Sequence, residues 1–471
     1  MRVSLDQSRA ACFAKEGTTS LRGKKISYKV ISEDTYFDNS AGVQAASFFS
    51  YSYFRTDVKD AVSRPVIFAF NGGPGSSSIW VHVGFFGVDR IKYDDPVHPP
   101  VTPPFEVEPN PHCFLDIADV VVIDPVATGY SDVIDAEAAK EFYSTEADAL
   151  AFTLFIEHWL SKYGRWNSPR FLCGESYGTV RNGMLAGAMV SSGGALKSIP
   201  VNGILMLGPI LNVMPSYNPQ FSERSVTDFL CMAATNHYHH PKGKPSLEEF
   251  AEEAWDFASG EYLRALFLCD CLPKKEYDAV VKKLTYYTGV SEKYIREHHL
   301  RIAMNDFLSE VVPGQVVGLY DSRYTLPENN RIGQFDVVPD DGAMGQYTSS
   351  YVGVFNDYFK PSLGITFDRA YIPINFGINA TWNWEVARTP SDNLTAAMRR
   401  NKDLHVFWGT GYYDLCTTPG GVRHFIAQSG MPLERVTRKE YPSGHMPYLG
   451  EDSCIAMDKD IREFIAKALK K

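Results

Sequence analysis

No apolar run in this sequence approaches the roughly 18 to 20 residues that a membrane-spanning helix requires, so no membrane partner is expected. The stretch from Met1 to Lys25 also lacks the roughly 7-to-15-residue apolar core of a signal peptide. The chain is therefore expected in the cytoplasm if Met1 is the native start, and in the periplasm or outside the cell if a leader was removed. Clustered Lys and Arg are missing too: 46 basic residues against 56 acidic ones leave a net charge of -10. That excludes the electrostatic footprint of a nucleic-acid partner. The eight cysteines are dispersed, with only Cys269 and Cys271 close together, which excludes a disulfide-dense scaffold and fits a reduced compartment. No internal repeat or low-complexity tract occurs. The sequons Asn379-Ala-Thr381 and Asn393-Leu-Thr395 carry weight only in a secreted protein.

What remains is an ordinary globular composition over 471 residues, long enough for one large core with an insertion or for two domains. Short runs rich in Val, Ile and Phe recur at Pro65 to Phe70, Val120 to Asp124, Arg170 to Cys173, Val201 to Leu207 and Leu404 to Trp408. Runs apolar throughout, spaced by helix-length segments, predict a mostly parallel sheet covered on both faces. Lys25 to Arg55 alternates polar and apolar residues and predicts antiparallel strands at one sheet edge. Thr145-Glu-Ala-Asp148 resembles a capping box opening a helix to about Tyr163. Cys454, Met457, Ile461, Phe464, Ile465 and Ala468 predict an amphipathic helix closing the sheet. Between about Asn212 and Glu385 the strand signals fade. Ser246 to Leu268 and Lys274 to Val312 are helical in period, and Gly314 to Tyr371 reads as ordered loops. The expected division is 1–211 and 386–471 as one core with 212–385 as a helical cap insertion.

Four segments carry chemistry. Gly174-Glu-Ser-Tyr-Gly178 is a G-x-S-x-G motif between a strand and a helix-compatible stretch, the setting of a nucleophile elbow. Asn71-Gly-Gly-Pro-Gly-Ser-Ser-Ser78 follows another strand, and its adjacent glycines allow N–H groups to point at a developing oxyanion. Gly73 and Tyr177, the residue after the serine, are the expected backbone donors. Asp414 and His445 each follow a strand, so that Ser176, Asp414 and His445 appear in the chain order of the α/β-hydrolases. Far more chain separates Ser176 from Asp414 than two or three β/α units need, which places the insertion there. Glu175 is the odd residue, since negative charge beside an attacking serine is unhelpful.

These segments together resemble the serine carboxypeptidase family, and most of all its bacterial members. Further likeness lies in Asn110-Pro111, in Asp124-Pro-Val-Ala-Thr-Gly-Tyr-Ser131 and in an insertion ending near Asp321-Ser-Arg-Tyr324. The resemblance implies an α/β-hydrolase fold with a helical cap, and a peptide substrate with a free C-terminus. It also implies Ser176 as nucleophile, His445 as base then acid, Asp414 as orienting acid, and no metal or cofactor. Asn71, Gly72 and Glu175 would then receive the substrate's terminal carboxylate, with Glu175 buried and protonated so that it can donate a hydrogen bond. The sequence departs from the family in two respects, one being Ser76 where a cysteine commonly follows the Asn-Gly-Gly-Pro-Gly loop, consistent with fewer disulfides. A second glutamate expected about fourteen residues after Asn71 is replaced by Phe85, which weakens strict C-terminal recognition and keeps an esterase or acyltransferase open. A catalytically silent binding module on the same scaffold is the reading of another class. His237, His239 and His240 read as a solvated loop, Cys269-x-Cys271 as helix packing or a local bridge, and Trp382-Asn-Trp384 as packing or a pocket wall. Side-chain preference and oligomeric state are open from sequence.

Overall fold

The computed structural model describes residues 1–211, 223–328 and 338–470. Every wholly apolar run is a strand of one 10-stranded sheet. Its first strands, β1 (Arg2–Val3), β2 (Cys12–Leu21), β3 (Lys24–Asp38) and β4 (Gln44–Arg55), are antiparallel to one another where they pair. Next come β5 (Val66–Phe70), β6 (Asp119–Asp124), β7 (Arg170–Glu175), β8 (Gly203–Leu207), β9 (His405–Gly411) and β10 (Val436–Tyr441). These six are mutually parallel, and β4 meets β6 antiparallel. The order across the sheet is β1-β3-β4-β6-β5-β7-β8-β9-β10, with β2 hung on β3.

Strands β5 to β8 are buried at every residue, as runs covered on both faces must be. Along β5 the side chains alternate between two cores, Ile67 and Ala69 facing one and Phe68 and Phe70 the other. The antiparallel edge begins earlier than the alternation from Lys25 predicts. β2 is largely exposed on one face and built from small and polar residues, so it carries little hydrophobic signal. Helix α1 (Thr145–Lys162) covers one face with Phe152, Phe155, Ile156 and Trp159, while the helix Glu451–Ala468 covers the other with Met457, Ile461 and Phe464. The cap of α1 is Ser144, one residue before the predicted box: its Oγ accepts from the N–H of Ala147. Asp148 is thereby freed to turn inward.

Helices α3 (Phe229–His239), α4 (Leu247–Phe257) and α5 (Lys274–Thr288), which follow α2 (Tyr177–Ala188), enclose a separate core with Phe229, Phe250, Phe257 and Leu284. The stretch read as loops, Gly314 to Tyr371, contains a helix, α6 (Met344–Val354). Tyr347 and Tyr351 from it, and Phe355 just beyond it, pack into the sheet core rather than into the core of α3 to α5, while Ile378 packs on the other sheet face, so the described residues of 212–385 contribute to at least three cores. The predicted start of the insertion at 212, and part of that loop stretch, lie outside the described residues. Among the described residues no helix is long and apolar enough to cross a membrane.

Candidate active site

Because β5, β7, β9 and β10 are parallel, their C-terminal ends open on one edge of the sheet. The register aligns them, pairing Phe70 with Gly174, Leu207 with both Glu175 and Gly409, and Gly411 with Tyr441. The four chemistry-bearing segments therefore leave the sheet side by side. Ser176 stands between the end of β7 and the start of α2 with φ +59°, a conformation costly for a non-glycine residue and typical of a serine thrust out at an elbow. The turn is possible only with glycine at Gly174, where a Cβ would lie 2.1 Å from the carbonyl oxygen of Gly178.

Asp414 is fully buried at the end of the β9 loop, and every oxygen of its carboxylate is held. Oδ1 accepts from the N–H of Cys416 at 2.9 Å and of Thr417 at 2.8 Å, while Oδ2 accepts from the Thr417 hydroxyl. His445 Nδ1 lies 2.9 Å from Oδ2. That pairing places the imidazole proton on Nδ1, from which it is donated to Asp414, and leaves Nε2 free to serve as base. The ring rests edge-on against Tyr320 at 5.2 Å, and its backbone N–H donates to the Tyr320 carbonyl. Burial alone would lower the His445 pKa, but the charge and hydrogen bond of Asp414, with help from Glu175, outweigh it and hold the value above the ordinary one. Ser176 and His445 border one cavity of about 810 Å³, together with Asn71, Gly72, Gly73 and Glu175.

Across the cavity, the loop after β5 is pressed onto the elbow. A Cβ on Gly72 would stand 2.4 Å from the Tyr177 nitrogen, and Gly73 has φ +101°. Tyr177 is the first residue of α2, so its N–H is one that a helix leaves without an intrahelical acceptor. The loop is anchored by Arg181, which the sequence did not single out, and by Asp124, which it marked only as part of a family likeness. Arg181 of α2 donates to the Asn71 carbonyl at 2.6 Å and pairs with Asp148 at 2.7 Å. Asp124, its pKa pushed up to about 7 by burial, accepts from the N–H of Ser78 at 2.8 Å. Trp382 and Trp384 both lie edge-on to Tyr177, at 5.4 and 5.5 Å.

Glu175 faces this cavity from the last residue of β7. Oε1 accepts from Asn71 Nδ2 at 2.8 Å, and Asn71 Oδ1 accepts in turn from the N–H of Val81. Burial is the main reason its pKa is pushed up to about 7. His445, Tyr448 and Asn71 oppose the rise, and Asp414 adds to it. Phe85 lies in an aromatic nest with Phe86, Phe114 and Tyr448, and Asn110 Nδ2 ties down the Phe85 and Gly87 carbonyls. An ionised carboxylate could not sit there at low cost. The group that does approach Glu175 is Tyr448, three residues beyond His445. Its hydroxyl faces the carboxyl closely enough to lower its pKa without completing a hydrogen bond.

His237 and His239 lie in α3 rather than in a solvated loop and bind the carbonyls of Pro245 and Ser322, while the exposed His240 caps the helix end and binds the Val311 carbonyl. Cys269 and Cys271 are free thiols rather than a bridge.

The sheet order, the elbow after its central strand and the acid and histidine loops beyond it define an α/β-hydrolase. Among solved structures, a prohormone-processing carboxypeptidase of Saccharomyces cerevisiae superposes with a TM-score of 0.57 at 14% identity, over 98% of this chain and 93% of that one. The profile of the serine carboxypeptidase (peptidase S10) family matches residues 32–223. Serine carboxypeptidase-like 38 of Arabidopsis thaliana is 26% identical over 193 residues, covering 37% of this chain and 36% of that protein. Serine carboxypeptidase-like 45 of the same plant is 26% identical over 170 residues, covering 36% and 34%. The chain thus matches about a third of the length of these curated relatives.

Proposed function

We propose that this protein is a serine-type carboxypeptidase of the bacterial kind, taking peptides with a free C-terminus. The observation that carries the reading is one cavity holding Ser176, His445 and the Asn71–Glu175 pair, with the Glu175 carboxyl neutral up to about pH 7. Ser176 Oγ attacks the scissile carbonyl as His445 Nε2 takes its proton, and the N–H groups of Gly73 and Tyr177 receive the oxyanion. Collapse of the intermediate breaks the C–N bond, His445 returns the proton to the leaving amine, and an acyl ester remains on Ser176. Water, deprotonated by His445, releases the acid. The terminal carboxylate of the substrate accepts hydrogen bonds from Asn71, the Gly72 N–H and protonated Glu175, which places the last peptide bond over Ser176. An ionised Glu175 would repel that carboxylate.

The competent enzyme therefore needs both His445 and Glu175 neutral. Turnover of free-acid peptides should rise with pH as His445 loses its proton and fall as Glu175 ionises near about 7, a bell-shaped profile. Phe85 favours a second reading, an esterase or acyltransferase on the same triad. An N-blocked dipeptide, its C-terminal amide and an aryl ester, offered to the wild type and to Ser176→Ala, separate the two. The carboxypeptidase reading expects the free acid to be cleaved well ahead of the amide below neutral pH. Equal rates on acid and amide would defeat it, and an active Ser176→Ala would defeat both.

A further inference from the structure

Behind the Asn71–Glu175 pair three buried polar atoms make no hydrogen bond among the described residues: Oε2 of Glu175 and the hydroxyls of Tyr448 and Tyr351. Such atoms are uncommon in folded proteins, and three of them meeting at one site call for an explanation. They converge from three elements, the end of β7, the loop beyond His445 and helix α6. A Cβ on Gly84 would stand 2.8 Å from the Tyr351 hydroxyl and 2.8 Å from the Tyr448 ring, so both phenols lean on the residue before Phe85. Phe85 stacks on Tyr448 at 5.2 Å with 14° between planes, which fixes the direction of the phenol. The two tyrosines also line a second cavity of about 370 Å³, bordered by Arg90, Lys92, Glu108 and Glu451. The buried triplet thus lies between the site cavity and one with charged lining.

We infer that Tyr448 is the partner of Glu175 in this chain, a positioning residue whose hydroxyl donates to Oε2 of the ionised carboxyl while Tyr351 hems the pair in from α6. The inference rests on the reading of Glu175 as receiver of the terminal carboxylate. A phenol and a second carboxyl act in opposite directions. Two carboxyls in one site share a proton, and each resists the ionisation of the other. A phenol only donates. The Tyr448 hydroxyl is held far above its ordinary pKa by burial and by Glu175, so it remains O–H while Glu175 titrates. It therefore favours the charged form of Glu175. The other groups facing Glu175 are His445, Asp414, Asn71 and the Cys173 thiol, which burial keeps neutral. Of these, Asn71 is already committed to Oε1, so Tyr448 is the adjustable donor.

The test is a titration of Glu175 in the whole protein. Its carboxyl stretch is isolated by infrared difference spectra between the wild type and Glu175→Gln, and the measurement is repeated with Tyr448→Phe present in both. Loss of the donor should move the midpoint up by about one pH unit, and the fall of kcat/KM on a free-acid peptide should move with it. Tyr351→Phe should move both less, in the same direction. On a Glu175→Gln background Tyr448→Phe should leave the pH profile where it was, which a merely structural tyrosine would not guarantee. An unmoved infrared midpoint in both tyrosine variants overturns the inference. A midpoint that moves while the free-acid profile stays fixed upholds the pairing and overturns the carboxylate-binding reading of Glu175.

Discussion

Asp414 and Glu175 are both buried carboxyls near His445, 0% and 2% exposed, yet their surroundings differ. Asp414 has two backbone N–H groups on one oxygen and a hydroxyl and an imidazole on the other. Glu175 has Asn71 on one oxygen and, among the described residues, no hydrogen bond on the other. Equal burial with unequal donors assigns different work. The saturated carboxylate is immobilised and can only orient the imidazole, whereas the half-satisfied one keeps a position open for a proton or a ligand. Residue type and burial alone would not separate them; the donor count does.

The sharpest way to break the contrast is Asp414→Asn. An amide there can present N–H rather than oxygen to Nδ1, forcing the imidazole into the wrong tautomer. We expect kcat on an aryl ester to fall by about 10³- to 10⁴-fold with little change in KM. Glu175→Gln should leave ester turnover within a few-fold of wild type. On a free-acid peptide it should flatten the fall in rate through about pH 7.

The same substitution has a stability signature whose sign follows from the direction of the shift. The Glu175 pKa is raised in the fold, from 4.5 to about 7. The stability it permits is therefore intact below about pH 4.5 and is lost as pH rises through about 7. Asp124 acts in the same direction and is common to both proteins. His82, whose pKa burial lowers to about 3, acts oppositely: its contribution is lost as pH falls from about 6.5. Differences between wild type and Glu175→Gln cancel both. Urea midpoints should show the variant losing about 2 to 3 kcal/mol less than wild type between pH 4.5 and 8. Parallel curves would mean that Glu175 has found a second donor.

Legibility followed the same physics. Strands β5 to β9 could be read because burial on both faces leaves unbroken apolar runs, and Ser176 because an elbow must be flanked by glycine. β2 could not, since a half-exposed strand of Lys, Glu, Gly and Thr has no contrast between its faces. Helix α6 was hidden by the Gly, Ser and Tyr of its composition. Its signal was present in Tyr347, Tyr351 and Phe355 at spacings of four, the stripe that enters the sheet core. Arg181, Thr417 and Tyr448 are a different case. Each stands within five residues of a residue that the motifs mark, but only the assembled loops show that their polar atoms point at Asn71, Asp414 and Glu175.

Thr417 allows the smallest and most direct change to the comparison. Its hydroxyl donates to Asp414 Oδ2 and lies 3.1 Å from His445 Nδ1, so it fixes the oxygen that the imidazole uses. Thr417→Val removes that donor, keeps the volume and retains both backbone N–H groups on Oδ1, leaving Oδ2 of Asp414 with the imidazole alone. The lost hydrogen bond to a buried charge should cost about 1 to 2 kcal/mol of stability. A carboxylate free to rotate holds the imidazole less firmly, which should lower kcat by about ten-fold while KM stays fixed. Thr417→Ser keeps the hydroxyl and should restore most of both. If Thr417→Val matches wild type in kcat and only its stability falls, the donors around Asp414 serve the fold rather than the orientation of His445, and the contrast with Glu175 would reduce to one of burial cost.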